Sequence, residues 1–236
     1  KWRLERIEKI EKRFPEIFDV KNKKILDIGC GAEAPLSYYL SEKRGGVVYA
    51  GDINQEIVMS AKKFAKKAKI SLFYSENLPF DDNEFDNVYL FDILEHVKSP
   101  FLAIKEAKRV VKKNGFIFVE FSPYYAYPSG HHLYSLGFPK GFFPFQFMPL
   151  PLVRFIVLNS KPNIKDAPDH IFKDFKPLNK LSVGVFKKMI KKINLTLVKE
   201  GSFIMLPHKE ISVNLISKIP LIREVVTMSY SSILKK

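Results

Sequence analysis

Apolar residues recur along the chain with two spacings, one typical of helices and one typical of buried strands. Leu4, Ile7, Ile10 and Phe14 are three or four residues apart, which predicts an amphipathic helix that Pro15 ends. Short apolar runs predict buried strands at 24–28, 46–51, 70–74, 86–91, 116–121, 195–199 and 229–234. Helical spacing returns between several of them and at 181–193. The alternation predicts an α/β fold with a doubly wound, mainly parallel sheet.

Two helix starts and one helix end carry local signals. Asn54 can cap one helix, and Ser99 followed by Pro100 can begin another. Asn114-Gly115 predicts a left-handed turn that ends this second helix. The predicted inward face of the first helix is Ile57, Ala61, Phe64 and Ala68.

The alternation stops over residues 122–178, a segment rich in proline and aromatic residues that follows the fifth strand. Its uncharged part, 141–153, is too short and too rich in proline to be an integral membrane span. A long insertion at the carboxyl edge of a parallel sheet is usually functional. We expect a single domain, 1–236, whose inserted segment forms a lid over a ligand, a membrane contact or a satellite core.

The composition of the chain limits the cellular environments and the binding partners that we expect for it. The chain has 39 Lys and Arg residues against 25 Asp and Glu, a net charge of +14, which attracts nucleic acid, anionic membranes or acidic metabolites. However, lysines such as Lys62 and Lys66 recur on predicted outward helix faces, which favours solvated surfaces. Cys30 is the single cysteine, so no intramolecular disulfide forms. We therefore expect a cytoplasmic protein, with peripheral membrane contact as a further option, and no metal site.

A glycine turn paired with an acid is the main chemical signal. The segment 25–31 reads ILDIGCG, which places Gly29 and Gly31 at a strand-to-helix turn where backbone can approach a ligand. Asp52 ends the second strand, 21 positions after Gly31, where an acid accepts hydrogen bonds from ribose. Residues 29–34, GCGAEA, also fit the dinucleotide pattern, so an NAD-dependent oxidoreductase is an alternative.

The motifs that follow are more specific as a set. In order, they are Leu78-Pro79-Phe80, Phe85-Asp86, Leu94-Glu95-His96-Val97, Arg109-Val110 and Asn114-Gly115. With the glycine turn, they closely resemble the class I S-adenosylmethionine-dependent methyltransferases of the type 11 group, which includes ubiquinone and menaquinone methylases. The resemblance covers residues 23–121. It implies a Rossmann-like, seven-stranded sheet, S-adenosyl-L-methionine as cofactor and a small-molecule acceptor that is apolar, lipid-like or sugar-like.

The resemblance also implies the donor contacts. The glycine turn would hold the methionine part, the acid after the second strand the ribose, and the turn after the third strand the adenine. The implied contacts are Asp27, Gly29, Cys30, Gly31, Asp52, Ile53, Ser75, Glu76, Asn77, Leu78 and Asp92. Two positions depart from the group: Glu33 replaces a usual glycine, and Tyr74 replaces an acid that often contacts adenine. Glu76 or Asn77 is the expected substitute.

Methyl transfer is an in-line displacement that depends mainly on alignment and exclusion of water. A general base is needed only when the acceptor must lose a proton. The candidates are Asp92, His96, His131 and His132, with Glu95 in the same segment as the first two.

Two further functions stay open. The basic charge suits an RNA methyltransferase, but the segment after the fourth strand reads Phe91-Asp92-Ile93-Leu94 instead of the Asn/Asp-Pro-Pro-Tyr-like motif of enzymes that methylate base amino groups. Nucleic acid is therefore not the favoured partner. Glu33 and Tyr74 would also suit a non-catalytic scaffold that binds S-adenosylmethionine.

Overall fold

The computed structural model describes residues 2–126, 151–152, 155, 179–205 and 210–236. Most of the predicted insertion, with His131 and His132, lies outside them. The described helices are α1 (Trp2–Arg13), α2 (Pro35–Tyr38), α3 (Gln55–Phe64), α4 (Pro100–Val110), α5 (Val183–Lys192) and α6 (Pro220–Val226). A π-helical turn, Tyr39–Lys43, extends α2, and 3-10 turns occur at Pro15–Phe18 and Ile216–Lys218. The strands are β1 (Lys24–Ile28), β2 (Val47–Asp52), β3 (Lys69–Leu72), β4 (Phe85–Phe91), β5 (Val111–Phe121), β6 (Thr196–Met205), β7 (Glu210–Ser212) and β8 (Ser229–Lys235).

The strands form one sheet in the order β3-β2-β1-β4-β5-β8-β6-β7. β1 to β5 pair in parallel with their neighbours, and β8 is antiparallel to both β5 and β6. The predicted mainly parallel, Rossmann-like sheet is therefore confirmed. The expected count of seven is exceeded, because β7 adds a three-residue antiparallel edge to β6 that is too short to give a hydrophobic pattern.

The order reverses at β1, which lies between β2 and β4. In open α/β sheets, such a reversal leaves a crevice at the carboxyl ends of the strands, where ligands bind. The topology therefore brings the ends of β1, β2 and β4 to the candidate site.

Both faces of the sheet are covered. On one face, α1 buries Ile7 and Ile10, and the ring of Phe14, just after α1, lies 5.7 Å from the Phe118 ring. On the other face, the buried residues of α4 and α5 include Ala103, Ala107, Val110, Phe186 and Ile190. Burying a large apolar side chain contributes about 1.5–3 kcal/mol each, so these contacts hold the helices to the sheet.

The predicted helix starts are confirmed. The Asn54 side chain accepts hydrogen bonds from the first-turn amides of α3, and Ser99 caps α4 through the Leu102 amide. The predicted inward face of α3 is partly wrong: Phe64 is exposed, while Val58, Ala61 and Ala65 are buried. Both sets have helical spacing, and α3 turns its smaller side chains toward the sheet.

The predicted left-handed turn at Asn114-Gly115 is wrong. α4 ends at Val110, the chain is extended at Val111, and neither Asn114 nor Gly115 has a positive φ. The β4–β5 pairing shifts from Phe85–Val111 to Asn87–Phe116, so the intervening residues bulge. A Cβ on Gly115 would lie 2.2 Å from the Asp86 carbonyl oxygen. This glycine therefore allows a close approach of two backbones.

We expect Gly115→Ala to lower the free energy of unfolding by about 1–3 kcal/mol, because the added methyl group overlaps backbone. The matched control is Asn114→Ala, at the exposed neighbouring position, which should change it by less than about 0.5 kcal/mol. Urea unfolding measures both. Equal effects of the two substitutions would contradict this account.

Candidate functional site

The glycine turn after β1 is fastened to the end of β2. Gly29 and Gly31 have φ values of +78° and +68°, in the left-handed region that glycine occupies without strain. The Gly29 and Cys30 amides both donate to the Gly51 carbonyl oxygen, at 2.9 and 3.0 Å. The turn therefore has a fixed position relative to the residue that follows Gly51.

That residue is Asp52, whose carboxylate borders the turn. Its Oδ2 accepts from the Gly31 amide at 3.4 Å, and its Oδ1 accepts from the Asn54 amide at 3.2 Å. A Cβ placed on Gly31 would meet no heavy atom within 4 Å. The predicted turn and the predicted acid thus face one open space.

Gly29 differs from Gly31 because its surroundings are filled. A Cβ there would lie 2.3 Å from Cδ1 of Ile93, just after β4. Gly29 therefore lets the segment after β4 pack under the turn, and Gly31 lies beside the open space.

Two predicted donor contacts lie buried below this space. Asp27 is 1% exposed and accepts a hydrogen bond from the Ser37 hydroxyl at 2.6 Å. Burial raises the pKa of Asp27 to about 6, although the Ser37 hydrogen bond acts in the opposite direction. Cys30 is also buried, and burial raises the pKa of its thiol. Through the hydrogen bond from Ser37, the buried Asp27 carboxylate fixes the position of α2.

The turn after β3 divides into supporting and exposed residues. Ser75 and Leu78 are buried, whereas Asn77 is exposed. Glu76 accepts hydrogen bonds from the Ser75 hydroxyl and the Ser99 amide, at 2.7 and 3.2 Å. One Glu76 carboxylate oxygen therefore bonds the start of α4, and the other bonds within the turn.

Leu78 is held from α4. Its amide donates to Glu106 at 2.9 Å, and its carbonyl accepts from Arg109 at 3.0 Å. The exposed apolar groups of this region are Ile53 and Tyr74, with 61% and 56% of their surface accessible. These two side chains, with Asn77, are the accessible candidates for contact with a planar ring.

A cluster of charged residues occupies the carboxyl ends of β4 and β5. The Arg6 guanidinium of α1 donates to both carboxylate oxygens of Asp92 and, at 2.6 Å, to Glu120. Glu120 is 1% exposed and also accepts from the Ser231 hydroxyl at 2.6 Å. Asp92 is about a third exposed and has a φ of +54°. α1 thus covers part of this edge and fixes the predicted base in an ion pair.

Glu95 is a buried carboxyl group beside this cluster. Its Oε1 accepts from the Ser122 amide at 3.1 Å, which connects the segment after β4 with the end of β5. Its Oε2 is buried and has no hydrogen-bond partner in the part of the chain that the structure describes. Burial, and then the charge of Asp92, raise the pKa of Glu95 to about 8. At neutral pH this side chain is mainly a neutral acid.

The histidine candidates are less well defined by the geometry. His96 is exposed on the turn after β4, and His131 and His132 lie outside the described residues. Among the described residues, no group of three His, Cys, Asp or Glu side chains could hold a metal ion. The same residues include no helix long and apolar enough to cross a bilayer.

Sequence reasoning missed Arg6 and Glu120. Glu120 had a signal, because an acid within the apolar strand FIFVEF needs a buried partner. Arg6 had only a weak one: it precedes Ile7 at the border of the apolar face of α1.

Comparisons with known proteins agree with this geometry. A family model described as a methyltransferase domain matches residues 26–119. The ubiquinone biosynthesis O-methyltransferase of Pelagibacter ubique is 36% identical over 106 residues, which are 42% of this chain and 42% of that protein. The chain thus spans less than half the length of this relative.

Solved structures share the fold. A protein from Pyrococcus horikoshii superposes with a TM-score of 0.59 at 18% identity, covering 98% of this chain and 89% of that one. Magnesium protoporphyrin IX methyltransferase from Synechocystis, solved with bound S-adenosylhomocysteine, gives 0.57 at 12% identity, covering 99% and 83%. Residues 26–119 thus match a methyltransferase domain in sequence, and the chain shares its fold with these solved structures.

Proposed function

We propose that this protein transfers a methyl group from S-adenosylmethionine to a small-molecule acceptor. One observation carries the proposal: the Asp52 carboxylate and the Gly31 amide lie 3.4 Å apart, and a Cβ placed on Gly31 would meet no heavy atom within 4 Å. A nucleoside with two ribose hydroxyls and an attached amino-acid chain suits this combination of a backbone turn and an acid.

The residues present fit the donor in distinct roles. The backbone at Gly31 would lie against the methionine part, and Asp52 would accept hydrogen bonds from the ribose. Ile53 and Asn77 would contact the adenine, since both are exposed after neighbouring strands. The remaining predicted contacts would act indirectly, by holding the turns in place; they are Asp27, Cys30, Ser75, Glu76 and Leu78. When bound, S-adenosylmethionine supplies an electrophilic methyl group on a sulfonium.

The acceptor would approach from the side of Asp92. An acceptor hydroxyl could donate to the exposed part of the Asp92 carboxylate, which Arg6 holds in one orientation. Glu95, mainly protonated at neutral pH, would contribute a neutral acid beside this carboxylate. We retain His96, His131 and His132 as alternative bases, and residues 122–178 as a lid that excludes water.

The acceptor that we favour is apolar and lipid-like, with a sugar-like molecule as the alternative. The name of the Pelagibacter relative, a ubiquinone biosynthesis O-methyltransferase, supports an apolar ring with an attached hydroxyl. We place the reaction in the cytoplasm, because the single cysteine suits a reducing compartment.

Asp52→Ala should weaken binding of S-adenosylhomocysteine by about 1–3 kcal/mol, because hydrogen bonds to a charged group are lost. Isothermal titration measures this change. The control is Asp19→Ala, which removes an acid before β1 whose side chain is 78% exposed. Wild-type protein should give no heat with NAD. Unchanged affinity in the Asp52 variant would remove the ribose assignment, and heat with NAD would favour the oxidoreductase.

Gly31→Asn should abolish most binding of S-adenosylhomocysteine with little loss of stability. Asparagine tolerates a left-handed φ better than other side chains, and open space surrounds the position, so the new side chain would enter the donor space. The matched control is Gly45→Asn, because Gly45 is exposed and has a similar φ of +72°. We expect at least a tenfold loss of affinity in the first variant alone. Equal affinities would mean that the space beside Gly31 is not the donor site.

Glu95 should make stability fall as pH rises. Its pKa is about 8 in the folded protein and about 4.5 in the unfolded chain, so the folded state binds more protons between these values. This contribution is complete below pH 4.5 and is lost as pH rises through 8, with a slope of at most ~1.4 kcal/mol per pH unit.

Urea unfolding at pH 5, 6.5 and 8 tests this expectation. Glu95→Gln cannot ionise, so its stability relative to wild type should improve steadily with pH. The free energy of unfolding of Asp19→Asn, a change at an exposed position, should vary with pH as that of wild type does. Parallel curves for Glu95→Gln and wild type would contradict a buried, protonated Glu95.

A further inference from the structure

The segment between β6 and β8 exposes a row of apolar side chains. Leu215 is 77% exposed, and Ile216, Ile219, Ile222 and Val225 are each between 39% and 53% exposed. We call these five residues the apolar ridge. Single exposed apolar residues are ordinary, but a row of five within eleven positions marks an interaction surface.

Hydrogen bonds attach the segment that carries the ridge to the rest of the protein. Val213 is buried, and its carbonyl accepts from the Ser217 amide at 2.9 Å. Glu224 accepts from the Val183 and Gly184 amides at 2.9 and 2.7 Å, which attaches α6 to the start of α5. The exposed apolar side chains therefore belong to a segment that is attached to the protein through polar contacts such as those of Glu224.

The topology places the ridge at the edge of the sheet where the candidate site lies. β6 runs parallel to β5, since both are antiparallel to β8. The connection between β6 and β8 therefore crosses the carboxyl edge, which also carries the glycine turn and Asp92.

A basic groove adjoins the ridge. It has a volume of about 610 Å³ and is lined by α1 and β6, with Lys9, Lys12, Arg13 and Lys199 on its walls against a single acid, Glu200. Lys9 and Lys12 are exposed. Asn214 also lines the groove and directly precedes Leu215, so the groove and the ridge adjoin along the chain.

We propose that the apolar ridge and the basic groove together dock this protein on an anionic phospholipid bilayer. The apolar side chains would enter the boundary between headgroups and acyl chains, and the lysines would lie among anionic headgroups. The net charge of +14 supports the same partner. RNA would use the groove but leave the ridge exposed to water. A second copy would cover the ridge, but two chains of charge +14 repel each other.

Co-sedimentation with vesicles tests the proposal on the full chain. Wild type should bind vesicles of phosphatidylglycerol and phosphatidylcholine at least tenfold more tightly than vesicles of phosphatidylcholine alone, and added salt should weaken this binding. Lys9→Gln with Lys12→Gln should lower the partition coefficient about 25-fold, at roughly fivefold per lysine. Leu215→Ser with Ile219→Ser should lower it at least tenfold for both vesicle compositions.

Matched controls come from α3, which packs near β2 and β3 at the other end of the sheet, and from the turn after it. Lys62→Gln with Lys66→Gln makes the same change of charge, and Met59→Ser with Phe64→Ser makes a comparable loss of exposed apolar surface. Both control pairs should bind as wild type does. Titration with S-adenosylhomocysteine checks that every variant is folded, and because vesicle binding requires no donor, it can fail or succeed independently of the proposed function.

Several results would overturn the proposal. Binding that is insensitive to both pairs of test substitutions would place any docking surface elsewhere. Equal losses in the control variants would indicate a general effect of charge or hydrophobicity. A change of mass in sedimentation velocity, confined to the ridge variant and without vesicle binding, would assign the ridge to a second copy. Binding of an RNA oligonucleotide that depends on Lys9 and Lys12, again without vesicle binding, would assign the groove to nucleic acid.

Discussion

Two backbone hydrogen bonds, from the Gly29 and Cys30 amides to the Gly51 carbonyl oxygen, hold the candidate site together. They join the turn after β1 to the last residues of β2, and so they place Asp52 beside Gly31. Neither residue would form a site alone, because a turn without the acid lacks a partner for hydroxyl groups. The packing of Ile93 against Gly29 extends the same constraint to the segment after β4.

The carboxyl edge of the sheet has two electrostatically different halves. The half near β1 and β2 offers backbone amides and the partly exposed acid Asp52. The half near β4 and β5 concentrates Asp92, Glu120 and Glu95 around one cation, Arg6. Because buried charge needs compensation, this half depends on α1, which supplies the cation. The α1 helix thus contributes a charged residue to the proposed acceptor side.

The apolar ridge and the basic groove connect this carboxyl edge to the proposed membrane surface. The apolar ridge follows β6 at the same edge, and the basic groove lies between α1 and β6. An apolar acceptor that partitions into a bilayer would then meet the protein at the edge where we propose that the donor binds. The proposed surface and the proposed acceptor are thus physically compatible, although each rests on its own observations.

The sequence by itself determined the elements that depend on local chemistry. Apolar spacing predicted the strands and α1, Asn54 and Ser99 marked helix starts, and the glycine turn with Asp52 indicated a nucleotide-like ligand. Only the tertiary structure decided which side chains face one another. Arg6 lies 86 positions from Asp92 and 114 from Glu120, and no local pattern encodes such a pairing. Likewise, Glu76 and Leu78 form hydrogen bonds with Ser99 and Glu106, and Gly115 allows a close backbone approach, because packing between distant segments sets their environment.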